Sequence, residues 1–170
     1  MGSTATMVIA FKVYRNQFGD SNSLVGNMVA GITEDHQGNI WLATRQGVSR
    51  LHRLRDNFNT ITYRNVVTGK MQRLDDEVIK AIACDAKNNI LIASELSGLM
   101  LCSNASLEAV QLPFLDGNNK LYRYGVQAIC FDAKGRAILF VQGKGLSVLD
   151  YGKQALVPLN NSLAYVNNIL

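Results

Sequence analysis

The sequence predicts an all-β fold: a partial β-propeller of about three four-stranded antiparallel blades plus incomplete terminal strands. Three observations carry this. The chain matches itself at a spacing near 48 residues, short apolar runs in each copy are separated by Asp-x-x-Gly or Asp-x-x-Asn, and a glycine recurs after each central run. Self-similarity at such a period signals a repeat architecture.

The three copies are GITEDHQGNIWLATRQGVSRL from Gly31, AIACDAKNNILIASELSGLMLC from Ala81 and AICFDAKGRAILFVQGKGLSVL from Ala128. Ile32, Ile82 and Ile129 correspond, as do Asp35, Asp85 and Asp132, and Gly47, Gly98 and Gly145. The aspartates are offset by 50 and then 47 residues. FKVYRN and TITYRN repeat 49 residues apart, and NSL at 22–24 returns at 161–163.

Each copy reads as strands. Segments 77–84 and 124–131 are apolar, partly β-branched, and end at Asp. Asp caps turn amides and Gly or Asn accepts positive φ, so a tight hairpin follows. IWLAT, ILIAS and AILFV are almost wholly apolar, as in a strand buried on both faces. The recurrent glycine opens a third strand, and NTITYR, alternating Thr and Arg with Ile and Tyr, reads as a half-exposed outer fourth strand. Four such strands per repeat describe a propeller blade. The expected division is 1–16 (Met1–Ser3 a cloning remnant, then the outer strand of a preceding blade), 17–67 blade one, 68–115 blade two, 116–160 blade three, and 161–170 the start of another.

The chain has 170 residues, a formal charge of +4, 48% hydrophobic and 18% charged residues. Its basic residues are scattered, the densest group being Arg50, Arg53 and Arg55, which argues against a nucleic-acid interface. No apolar run is long enough to span a bilayer. Cys84, Cys102 and Cys130 lie in apolar segments without metal-ligand spacing, so no cofactor and no metal are expected. Trp41 is replaced by Leu91 and Ile138 in the other copies, which favours packing between blades over ligand stacking.

ITEDHQGNIWLATRQGVSRL, with VYRNQFGD and NSLVGNMVAGI before it, closely resembles the two-component-regulator propeller repeat. The resemblance spans nearly the whole chain, strongly in the first copy and weakly in the others, where Trp is lost, Asn88 replaces Gly and Val141 replaces Thr. It implies the periplasmic sensor region of a Bacteroidetes-type hybrid two-component histidine kinase. Such a region recognises a glycan or glycan fragment and relays occupancy to a kinase absent from this chain, which is therefore not itself expected to be an enzyme. The alternatives are a streptogramin-lyase-like propeller enzyme and a protein–protein interaction or dimerisation propeller. The lyase class needs a His and Glu at particular blade positions, whereas the histidines here are His36, in a turn, and His52, after the third strand.

Propeller ligands commonly sit where second-to-third-strand turns meet the blade-linking loops. The expected ligand residues are Arg45, Gln46, Glu95, Lys144, Tyr122 and Tyr124, with Asn118 and Asn119 nearby. Three blades and a fraction leave two sheet faces open, so a homo-oligomer, a dimer completing a ring, is expected.

Overall fold

Turn chemistry sets the strand boundaries. In the computed structural model, which describes residues 11–113, 125–153 and 155–159, the three aspartates do the same work. Asp35 Oδ1 accepts the backbone N–H groups of Gln37 and Asn39, both at 2.9 Å. Asp85 accepts those of Lys87 and Asn89, and Asp132 those of Lys134 and Arg136. Three residues after each Asp the backbone turns left-handed, with φ of 79° at Gly38, 64° at Asn88 and 74° at Gly135. Asn tolerates that region, which is why it stands in for Gly in the second copy.

The first sheet is β1 (Val29–Glu34), β2 (Ile40–Thr44), β3 (Gly47–Leu51) and β4 (Phe58–Thr60), antiparallel in that order. The third is β11 (Val126–Phe131), β12 (Ala137–Val141), β13 (Gly145–Asp150) and β14 (Ala155–Pro158), built the same way. The second contains β7 (Ile79–Cys84), β8 (Ile90–Ser94), β9 (Gly98–Cys102) and β10 (Glu108–Gln111), extended beyond β10 by β5 (Thr62–Arg64) and β6 (Met71–Arg73). The innermost strands β1, β7 and β11 carry a bulge at the same place, after Val29, Ile79 and Val126.

NTITYR, expected as one outer strand, is divided at Ile61 between two sheets. Ile61 is fully buried and its carbonyl accepts the Leu74 N–H at 2.9 Å, which takes it out of the first sheet's ladder. Beyond it β5 runs parallel to β10, pairing Tyr63 with Ala109. The apparent alternation of NTITYR therefore spans a crossing point. Tyr14, the counterpart of Tyr63, packs edge-on against Phe58 of β4 with ring centroids 5.4 Å apart.

Alternate residues of β8 face opposite sides, and both sides are buried. Ile90 and Ile92, with Met100 and Cys102 of β9, join Trp41, Ala43 and Val48 of the first sheet. Leu91 and Ala93, with Leu99, join Ala137, Leu139 and Val141 of the third. The chain is thus a partial β-propeller of stacked sheets with the second in the middle. Apolar burial of this kind contributes roughly 1.5–3 kcal/mol per large side chain.

Candidate ligand-binding face

Two clefts open at the end of the sheets that carries the β2–β3 and β8–β9 turns. The first is walled by the segment before β1. Gln17 to Asp20 form a tight turn, with Asp20 N–H to the Gln17 carbonyl at 3.0 Å and φ of +83° at Gly19. Ser23 Oγ donates to the Asp20 carbonyl at 2.8 Å and accepts the Gln17 N–H at 2.9 Å. Asn16 Nδ2 donates to the Leu24 carbonyl at 2.8 Å, closing the loop at its base. The result is a side-chain-braced loop with Phe18 fully exposed at its tip. Facing it across a cleft of about 440 Å³ are Gln46, Thr60, Arg73, Asp75 and Asp76. Arg73 Nε lies 2.6 Å from Asp75 Oδ2. Gly26 leaves the Gln46 side chain its space, since a Cβ there would lie 2.7 Å from Gln46 Oε1.

The second cleft, of about 480 Å³, is lined by Tyr63, Asn65, Val67, Gln72, Leu96, Ser97 and Gln111. Glu77 stands behind it as an acceptor: Ser97 Oγ donates to Oε1 at 2.5 Å, Tyr63 OH donates to the same atom at 3.1 Å, and Ser94 Oγ donates to Oε2. Burial, together with the Glu77 charge, holds the Tyr63 phenol above its ordinary pKa, so it remains a donor. Gln111 bridges the Ser97 carbonyl at 2.7 Å and the Val66 N–H at 3.1 Å. These bonds tie the β8–β9 turn to Glu77, Tyr63 and Gln111.

The expected ligand residues are placed unequally. Gln46 lines the first cleft. Arg45 is exposed and outside that lining, its N–H donating to the Met28 carbonyl at 3.1 Å. Glu95, equivalent by its 2.9 Å bond to the Val78 carbonyl, is paired to Lys80 at 3.1 Å. In the third turn the same backbone bond is made by Gln142, to Gly125, so the counterpart of Arg45 and Glu95 is Gln142, with Lys144 two residues further on. Tyr122, Tyr124, Asn118 and Asn119 lie outside the described residues. Phe18, Arg73, Asp75 and Asp76 were not singled out by sequence reasoning. An aromatic residue inside the turn-forming run QFGDSNS was the available signal for Phe18.

Both histidines lie at the opposite end of the first sheet. His36 is in the β1–β2 turn, its N–H donating to Asn88 Oδ1 at 2.8 Å, and His52 Nδ1 accepts the Leu54 N–H at 3.2 Å. Among the described residues no group of three or more His, Cys, Asp or Glu is placed to hold a metal ion, and no helix is long and apolar enough to cross a membrane.

Stacked sheets, two of four strands and the middle one of six, with a turn-lined face define a partial propeller, and the repeat itself is recognisable. Residues 23–46 match the family model described as two component regulator propeller. No curated protein matches the chain. Among solved structures, the extracellular domain assigned to the hybrid two component system BT4673 of B. thetaiotaomicron is similar, at 15% identity and a TM-score of 0.65 over 86% of this chain and 20% of that one. The corresponding domain assigned to BT3049 of the same organism is 22% identical, with a TM-score of 0.63 over 87% of this chain and 19% of that one. The chain therefore spans about a fifth of the length of each, and shares their fold.

Proposed function

We propose that this chain is an extracytoplasmic, ligand-sensing propeller segment of a hybrid two-component sensor, and that it takes a glycan or glycan fragment at the cleft between the 16–25 loop and Gln46. One observation carries the reading: the segment matching the two component regulator propeller, residues 23–46, supplies Ser23, Val25 and Gln46 to that cleft. Its lining suits a neutral polyol. Phe18 offers an apolar platform for a sugar face, while Gln46, Asn16 and the Arg73–Asp75 pair present donors and acceptors. Occupancy would then be relayed to a kinase borne elsewhere.

Calorimetry of the chain against a panel of neutral oligosaccharides tests this. Binding by at least one, weakened about tenfold or more by Phe18→Ala and by Gln46→Ala, supports the reading. Unchanged affinity in both variants, and loss in Arg45→Ala or Tyr124→Ala instead, moves the site. No saccharide binding at all removes the ligand class.

A further inference from the structure

Each sheet offers a forward face to the sheet that follows and a receiving face to the one before. The forward faces of the first and second sheets are covered within the chain. That of the third, bearing Ile138, Phe140 and Leu146, is not covered by any described residue: Phe140 is 47% and Leu146 55% exposed.

At one position the internal stack has a fixed division of volume. In the first sheet the forward side is the pair Gly31 and Ala43, and a Cβ on Gly31 would lie 3.5 Å from Cγ2 of Ile82 on the receiving side. In the second sheet the pair is Ala81 and Ala93, with Ile129 of the third sheet packed against their core. Small residues thus meet isoleucine twice. The third sheet breaks this pattern, because its pair is Ala128 and Phe140. A phenyl ring where the stack already has van der Waals contact between Gly or Ala and Ile overfills the space.

We infer that the forward face of the third sheet docks a further propeller sheet whose innermost strand carries Gly, Ala or Ser where the second and third sheets carry Ile82 and Ile129. The stacking geometry is continuous with the two interfaces the chain already contains. A second copy of the chain presents Ile32 at that position, 64% exposed where Ile82 is 7%. Phe140 against Ile32 is overfull, so two unaltered copies stack poorly in this register, and the first sheet's own receiving face becomes a usable probe.

Sedimentation equilibrium on the whole chain, Ile32→Ala, Phe140→Ala and the double variant reads the fit. Each single substitution restores a large-against-small pair and should tighten self-association about tenfold or more over the unaltered chain. The double variant leaves a hole and should associate more weakly than either single one. Both side chains are exposed, and circular dichroism confirms that the variants fold. Additive weakening by the two substitutions, or four monomeric proteins at all concentrations, overturns the inference.

Discussion

The indole Nε1 of Trp41 donates a 2.8 Å hydrogen bond to Oδ2 of Asp35, and both residues are buried. The repeat thereby ties its turn to its inter-sheet core: the carboxylate that caps the β1–β2 turn also fixes the ring that packs on the second sheet.

Trp41→Phe keeps most of the ring and removes the donor, and is expected to cost about 1–3 kcal/mol. Trp41→Ala empties the core position and should cost about 3–5 kcal/mol. Urea denaturation followed by circular dichroism measures both. A cost below about 1 kcal/mol for the alanine variant would show that Trp41 is not at the interface.

Asp35 supplies a pH dependence. Burial pushes its pKa up, but hydrogen bonds from Trp41, Asn39 and Gln37 outweigh this and hold it below the ordinary value. A depressed folded pKa contributes stability that is fully present above the unfolded value of about 3.9 and disappears as pH falls through the folded one. Asp132 is lowered in the same direction, chiefly by the Arg136 N–H, so the slope is not due to Asp35 alone. The melting temperature should fall on acidification below about pH 4, less steeply in Asp35→Asn. Equal slopes would deny Asp35 the role.

Two recurrent glycines separate backbone conformation from close approach. At Gly47 φ is +128° and a Cβ would lie 1.9 Å from the Leu74 carbonyl oxygen, whereas at Gly145 φ is +75° and nothing lies within 4 Å. Gly145→Ala should cost about 1–2 kcal/mol, from the left-handed backbone alone. Gly47→Ala should cost about 4 kcal/mol or more, because sheet-linking backbone must move. Equal costs in denaturant titrations would contradict the close approach.

The cysteines should differ in reactivity. Burial pushes the Cys102 thiol up to about 12, and burial with the nearby Asp85 and Asp35 charges raises Cys84, whereas Cys130 is exposed. Iodoacetamide at pH 8 should modify Cys130 first and Cys102 only on unfolding, as peptide mapping will show. Early labelling of Cys102 would place it at the surface.

Much of the fold was legible because local chemistry repeats. The aspartates, the left-handed residues Gly38, Asn88 and Gly135, and the apolar runs between them each state their role within a few residues. What a local pattern cannot show is a change of partner. Thr60 and Thr62 alternate evenly in sequence, yet Ile61 between them marks the crossing from β4 to β5, fixed by a bond to Leu74 from a later segment. The candidate face is formed by loops that the sequence points to, but by few of the residues it singles out. Gln46, expected as a ligand residue, lines the candidate cleft, whereas Arg73 and Asp75 come from a hairpin attached to the second sheet, a placement set by the pairing of β5 with β10. Charge pattern also gave no sign that Glu95 is held by Lys80.

The stacking of successive sheets is tested most directly by nuclear Overhauser spectroscopy on methyl-labelled chain. The stack predicts cross-peaks from the Ile82 Cγ2 methyl to the Gly31 α-protons, and between the cores shared by Leu91 and Leu139, linking first to second and second to third sheet in one direction. Ile82 methyl cross-peaks to third-sheet residues, with none to Gly31, would contradict it.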